Sequence, residues 1–324
     1  MDAIVVENLV KKYGDFEAVR GISFRVKKGE IFAFLGPNGA GKTTTVHVLT
    51  TLLRPTSGRA VVAGHDVLKE PDEVRKRIGI VFQEPSVDRE LTAWENLLIH
   101  GMIYGLSREE IKERGEELLR FVELWEFRDR PLKFFSGGMQ RRFEIARALL
   151  HEPEVLFLDE PTIGLDPQTR AHIWDYIRTM REERGVTIFL TTHYMEEAEL
   201  LADRIAIMDR GRIIAEGTAE ELKRLVGNDV IYVRFEGKAE CMEADFLKGC
   251  KVLPDGRVRF DVENASEALP KLFERAKELG LRILEVTYHR PTLNDVFLHL
   301  TGREIREGEE KPVKSAMRLW GRMR

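Results

Sequence analysis

The chain has 324 residues, enough for two domains or one large one, and its 43% hydrophobic content allows an ordinary globular core. The net charge of -4, from 51 basic and 55 acidic side chains, excludes a mainly nucleic-acid-binding surface. No run approaches the length of a membrane span, and the start, Met1-Asp2-Ala3-Ile4, lacks a basic region followed by an apolar stretch, so a cytoplasmic protein is expected.

The first thirty or so residues alternate like short β-strands, with candidates at Ile4-Val5-Val6 and Gly21 to Val26 and turns at Tyr13-Gly14-Asp15 and Lys27-Lys28-Gly29. Gly29 to Leu35 reads as a buried strand, and Thr43 to Leu53 as a helix. Between them lies Gly36-Pro37-Asn38-Gly39-Ala40-Gly41-Lys42-Thr43-Thr44, which fits G-x-x-x-x-G-K-[ST]. Glycines there let the backbone aim N–H groups at phosphate oxygens, and the helix N-terminus adds partial positive charge. Lys42 is expected to reach the β- and γ-phosphates, and the Thr43 hydroxyl to ligate Mg²⁺.

Further strands are expected at Arg59 to Ala63 and Ile78 to Phe82. From Leu91 the pattern turns helical. Thr92-Ala93-Trp94-Glu95 and Ser107-Arg108-Glu109-Glu110 each open a helix, the first with a capping box. This helical insertion runs to about Leu150. Within it, Phe135-Ser136-Gly137-Gly138-Met139-Gln140 precedes an amphipathic helix, with Ser136 as its natural cap. That is a second anion-binding helix start in the same chain. One chain with two phosphate sites and one acidic pair suggests that two chains share each nucleotide.

Val155-Leu156-Phe157-Leu158 ends in Asp159-Glu160. Acids at the C-terminal end of a parallel strand stand where ligands bind. Asp159 is expected to meet the Mg²⁺ held by Thr43, and Glu160 to orient or deprotonate the attacking water. Helices at about 167–184 and 194–202 alternate with a strand at Val186 to Leu190, which implies a largely parallel sheet. Near Gly227 the character shifts to a small α+β unit resembling a ferredoxin-type sandwich. It carries a hairpin around Pro254-Asp255-Gly256, a helix at about 266–279 and a strand at Leu281 to Thr287. Cys241 and Cys250 lack metal-ligand neighbours and are expected as free thiols, with a disulfide the alternative. From Val313, Ala316, Met317, Leu319, Trp320 and Met323 share one helical side, and Lys314, Arg318 and Arg322 the other. The tail is either a basic amphipathic helix for a membrane or partner surface, or solvated chain.

On these motifs the chain resembles the ATP-binding subunits of ABC transporters, over residues 1 to about 225. The phosphate loop and acidic strand match the two Walker motifs, and Ser136-Gly137-Gly138 matches the core of the family signature. Gln83 matches the glutamine that senses Mg²⁺ and the membrane partner. Gly164-Leu165-Asp166 matches the loop that crosses the dimer interface, His193 the switch histidine at the γ-phosphate, and Tyr13 the aromatic that stacks on adenine. Met139 stands where the family commonly has Gln, and Phe135 where it has Leu. These departures, the Gly-Leu-Asp loop with Pro167, and Leu293-Asn294-Asp295-Val296-Phe297 are similar to daunorubicin-type drug-resistance exporters.

The resemblance implies an α/β P-loop NTPase fold of ABC type with a parallel-sheet core, an antiparallel β subdomain and a helical insertion at about 88–150. That domain spans 1–226, a small α+β domain 227–302, and a charged tail 303–324. ATP and Mg²⁺ are the implied substrate and metal. Two copies face head to tail, with separate transmembrane permease subunits as partners and no nucleic acid. The protein is expected on the inner face of the cell membrane, held there by those subunits. The catalytic set is Lys42, Gln83, Glu160 and His193. The alternative is a soluble ABC-type ATPase acting on ribosomes or DNA. The chain carries one ATPase module and no coiled-coil or zinc insertion, which favours transport.

Overall fold

The computed structural model describes residues 1–227, 229–236, 241–242 and 244–301. The basic tail therefore lies outside the described residues. The nucleotide-binding part begins with β1 (Asp2–Tyr13), β2 (Phe16–Lys27), β3 (Ile31–Leu35), α1 (Lys42–Leu49), β4 (Ser57–Val62), β5 (His65–Asp66), α2 (Pro71–Arg77) and β6 (Ile78–Val81). The insertion supplies α3 (Ala93–Ile103), α4 (Arg108–Phe121) and α5 (Gly137–Leu149). Then come β7 (Val155–Asp159), α6 (Pro167–Arg184), β8 (Thr187–Thr192), α7 (Met195–Leu201), β9 (Arg204–Asp209), β10 (Arg212–Gly217) and α8 (Ala219–Arg224). The C-terminal unit is β11 (Asp229–Phe235), β12 (Leu247–Val252), β13 (Val258–Val262), α9 (Ala265–Glu278), β14 (Ile283–His289) and α10 (Leu293–Thr301).

A six-stranded sheet runs in the order β10-β9-β3-β8-β7-β6, parallel except for the β9–β10 hairpin. Strands β3, β7 and β8 are buried at every position, as unbroken apolar runs in the middle of a parallel sheet must be. The faces of β3 serve two cores. Ile31, Ala33 and Leu35 face the helices, while Phe32 and Phe34 face a second sheet. That sheet is antiparallel, ordered β2-β1-β4-β5. Between the two sheets, rings of Phe24, Phe32, Phe34, Phe157 and Phe189 lie with centroids 4.9 to 6.0 Å apart. Such edge and offset contacts favour aromatic pairs beyond plain area burial.

The insertion's first two helices start where expected, Thr92 with Glu95 on the predicted capping box and Ser107 with Glu110 on a second one. The first hairpin is longer than the expected short strands, because β1 and β2 pair continuously from Asp2–Lys27 to Tyr13–Phe16 through register shifts.

The C-terminal unit matches a ferredoxin-type sandwich in part: its sheet β12-β13-β11-β14 is antiparallel, β12 and β13 form the central hairpin, and α9 crosses from β13 to β14. Among the described residues no helix stands between β11 and β12, where that pattern has its first one. The two cysteines are not free thiols: Cys241 and Cys250 form a disulfide with Cα atoms 5.8 Å apart. Pairing of β12 with β13 fixes Cys250 opposite Phe260, and the disulfide sets Cys241 beside it. Sequence spacing alone carries no sign of that approach. The final helix, α10, leaves this unit's own core. Leu293, Val296 and Phe297 are buried in the cluster that holds Ala198 and Leu201 of α7 and Leu222 of α8.

Candidate functional site

The site forms at the C-terminal ends of β3, β7 and β8. After Leu35 the chain turns through Gly36 to Gly41, with Gly36 N–H donating to Thr192 O at 3.2 Å and Ala40 N–H to Pro37 O at 3.2 Å. Asn38 and Gly39 form the exposed tip, while Gly36 and Ala40 are buried. Gly41 caps α1 at φ 104°, a left-handed value that disfavours any side chain. A Cβ there would also stand 2.6 Å from the Ala18 carbonyl of β2. Thr43 and Thr44 follow in the first turn of α1, both half-buried.

Lys42 is 4% exposed. Its Nζ donates to Gly36 O at 2.7 Å and Pro37 O at 3.2 Å, and pairs with Glu160 Oε1 at 3.2 Å. Burial pushes its ammonium below the usual lysine value, and the Glu160 carboxylate pulls it part of the way back. The other Glu160 oxygen, Oε2, lies 3.0 Å from His193 Nδ1. Burial alone would raise the Glu160 carboxyl. The hydrogen bond from His193 and the charge of Lys42 outweigh it and hold the group below its ordinary range. Glu160 adopts φ 48°, uncommon for a residue with a side chain. Its N–H donates to both Thr191 O and Thr191 Oγ1, each at 3.1 Å, which anchors the backbone.

Asp159, 1% exposed, ends β7. Its Oδ1 accepts from Thr43 Oγ1 at 3.2 Å and from Thr191 Oγ1. A hydroxyl and a carboxylate, both oxygen donors beside a phosphate loop, fit a hard cation such as Mg²⁺. The fold thus gathers Lys42, Thr43, Asp159, Glu160 and His193 from segments more than a hundred residues apart in places.

The other predicted residues stand apart from this cluster. Tyr13 is 47% exposed at the tip of the β1–β2 hairpin, with Lys11 Nζ 5.1 Å from its ring centre. Gln83 is exposed on the loop after β6. Ser136 caps α5, its Oγ accepting from Met139 N at 3.2 Å, and both Ser136 and Gly137 are exposed. Met139 packs on the helix-side core. Gly137 and Gly138 abut the neighbouring loop. A Cβ on Gly137 would lie 3.6 Å from Leu165, and one on Gly138 only 2.5 Å from the Thr169 methyl. Gly164 has φ 71°, and Asp166 caps α6 by accepting from Thr169 N at 3.0 Å and Thr169 Oγ1 at 2.6 Å. Gly137 and Gly138 therefore lie against Leu165 and Thr169, which joins the start of α5 to the Gly164–Asp166 loop and the start of α6.

Sequence reasoning missed several buried polar residues that hold these pieces. Thr191 links Asp159 to Glu160, and its place in Thr191-Thr192-His193 at a strand end was a usable signal. Glu197 of α7 is fully buried and accepts from Thr162 Oγ1 at 2.7 Å and Trp174 Nε1 at 2.9 Å. Arg141 and Glu144 interrupt the inward face of α5, and charged residues on an apolar stripe are the signal they offered.

The description "ABC transporter" matches residues 19–163, and "ATP-binding protein DrrA1-3-like, C-terminal domain" matches residues 217–301. The chain is 46% identical over 311 residues to the daunorubicin resistance ATP-binding protein DrrA3 of Streptomyces coeruleorubidus, covering 95% of this chain and 98% of that protein. It is 40% identical over 312 residues to the linearmycin resistance ATP-binding protein LnrL of Bacillus subtilis (strain 168), covering 93% and 99%. Among solved structures, the ATP-binding cassette MJ0796, described as a dimeric post-hydrolysis state bound to ADP and Pi, matches with TM-score 0.61 and 30% identity. That match covers 66% of this chain and 98% of the other. Among the described residues, no helix is long and apolar enough to cross a membrane. The chain belongs to the ATP-binding subunits of ABC transporters, in the daunorubicin-resistance type, and is an ATPase.

Proposed function

We propose that this ATPase powers export of a drug-like or lipid-like molecule through separate transmembrane subunits, as a head-to-tail pair of copies that encloses ATP. The observation that carries the catalytic reading is the convergence of Lys42 and His193 on the two oxygens of Glu160. Support for the cargo class comes from the names of the relatives, two of which are antibiotic-resistance proteins.

In this reading Tyr13 stacks on adenine, and the backbone from Gly36 to Thr44 cradles the phosphates. Lys42 leaves its carbonyl partners for the γ-phosphate. Thr43, Gln83 and Asp159 would hold Mg²⁺, which would supply charge neutralisation at the phosphate oxygens. Ser136, Gly137, Gly138 and Met139 of the second copy meet the same phosphate from the far side, with Gly164, Leu165 and Asp166 at the seam. Glu160 takes a proton from water as the water oxygen bonds to the γ-phosphorus and the bond to the β-phosphate breaks. A carboxyl held below its ordinary pKa is ionised and ready as an acceptor at neutral pH. His193 orients that carboxylate and the phosphate. Neither copy alone surrounds the γ-phosphate, which makes the pair obligatory for fast turnover. Membrane subunits hold the pair at the inner face of the membrane and receive its motion around Gln83 and the helical insertion.

The test is Glu160→Gln. Turnover should fall by about a hundredfold or more, and ATP should drive a stable dimer seen by size-exclusion chromatography. Wild-type hydrolysis by that variant would remove Glu160 from the reaction.

A further inference from the structure

The loop carrying Gln83 is bonded to α5 rather than to the sheet it leaves. The Arg141 guanidinium forks onto two consecutive carbonyls, Nη1 donating to Phe82 O at 2.6 Å and Nη2 to Gln83 O at 3.0 Å. The same Nη1 pairs with Glu144 Oε2 at 3.1 Å. Glu144 Oε1 then accepts from Ser86 N at 3.0 Å, on the far side of Gln83. One turn on, Arg147 Nη2 donates to Ser86 Oγ at 2.7 Å. Arg141 is 6% exposed and Glu144 1%. The planar guanidinium reaches the two adjacent carbonyls from two separate nitrogens, a fixed geometry that a single ammonium does not reproduce.

We propose that Arg141 and Glu144 are positioning residues for Gln83: they clamp the backbone on both sides of it and tie the loop to the helix that Ser136 caps. Elements bonded this way shift together. A displacement of the Gln83 loop therefore carries the start of α5, which the two-copy reading places at the other nucleotide. The inference rests on that reading of Gln83 as a metal-facing residue.

The test measures Mg²⁺ dependence of ATP hydrolysis by the full chain. Breaking a buried ion pair on one side strands a charge, so the main variant is Arg141→Met with Glu144→Leu, which keeps volume and charge balance. It should fold with wild-type circular dichroism and bind ATP normally without Mg²⁺. The Mg²⁺ concentration for half-maximal hydrolysis should rise about tenfold, with kcat lowered by a similar factor. Arg141→Lys keeps the charge but loses the two-nitrogen geometry, and should show an intermediate Mg²⁺ shift, whereas a merely structural cation would be fully replaced by lysine. Gln83→Ala is the reference. If Gln83→Ala shifts the Mg²⁺ requirement and the double variant does not, the clamp is overturned and the Gln83 reading stands. If Gln83→Ala behaves as wild type, both are overturned.

Discussion

At the residue scale, the helical insertion holds a second buried polar group with a measurable signature. His100 of α3 sits 5.5 Å from His151 and 4.8 Å from Tyr104, ring centre to ring centre. Burial, then the charges of Arg147 and His151, pushes its pKa down to about 3. Burial also lowers His151, whose Nε2 lies 2.9 Å from Ile78 O. The folded values lie below the unfolded value of about 6.5. Their contribution to stability is whole above pH 6.5. It falls as pH drops toward 3, because the unfolded chain takes up protons that the folded chain refuses. Each such group steepens the decline by at most about 1.4 kcal/mol per pH unit. Urea titrations at pH 7 and pH 5 should show His100→Leu losing less stability between the two than the wild type, by about 2 kcal/mol. An equal loss in both proteins would show that His100 is not buried as a neutral ring. The cluster residues Lys42, Thr43, Asp159 and Glu160 were legible in the sequence because phosphate and metal chemistry leaves a narrow choice of residue types. Arg141 and Glu144 offered only their place on the apolar stripe of α5, which marks them as buried charges but does not name their partners.

At the element scale, legibility followed hydrophobic pattern. The fully buried β3, β7 and β8, each with an apolar run at its centre, and helices with a cap or an apolar stripe, could be placed to within a few residues. The β9–β10 hairpin went unassigned: its turn is Arg210-Gly211, at φ 47° and 79°, and arginine gives no turn signal. α2 went unassigned too, being a single short helix with only Val74 buried. α10 shows what a local pattern cannot tell. The segment 293–297 is legible in the sequence only as a family motif, and nothing local says which core receives its apolar residues at 293, 296 and 297. Phe297 is fully buried against the nucleotide-binding part, whereas Leu298 next to it is 38% exposed. Phe297→Ala should therefore cost about 3–5 kcal/mol in denaturant unfolding, and Leu298→Ala much less. Equal effects would mean that α10 does not dock there.

At the scale of the whole molecule, the two cores of the nucleotide-binding part share the wall made by β3, β7 and β8, so neither melts without the other. The C-terminal unit has its own cluster around Ile231, Phe260 and Leu272. Its disulfide closes a short loop, worth about 2–3 kcal/mol in the chain-entropy account. Calorimetry with and without reductant should show the C-terminal transition falling by several degrees. The transition followed by Trp94, Trp125 and Trp174 should stay in place. If neither moves, the bridge adds nothing to stability. The strand order of the central sheet also governs how the protein comes into being. β3 is made early, but both of its neighbours, β8 and β9, arrive only when the chain has reached Thr187–Thr192 and Arg204–Asp209. Until then Ile31-Phe32-Ala33-Phe34-Leu35 has no edge to pair with. During synthesis this wholly apolar strand must wait for most of the nucleotide-binding part to follow it, exposed to any other strand it meets. The nucleotide site therefore cannot pre-form around its own loop. It is completed late, and the newborn chain passes through its most aggregation-prone interval before it can hold ATP.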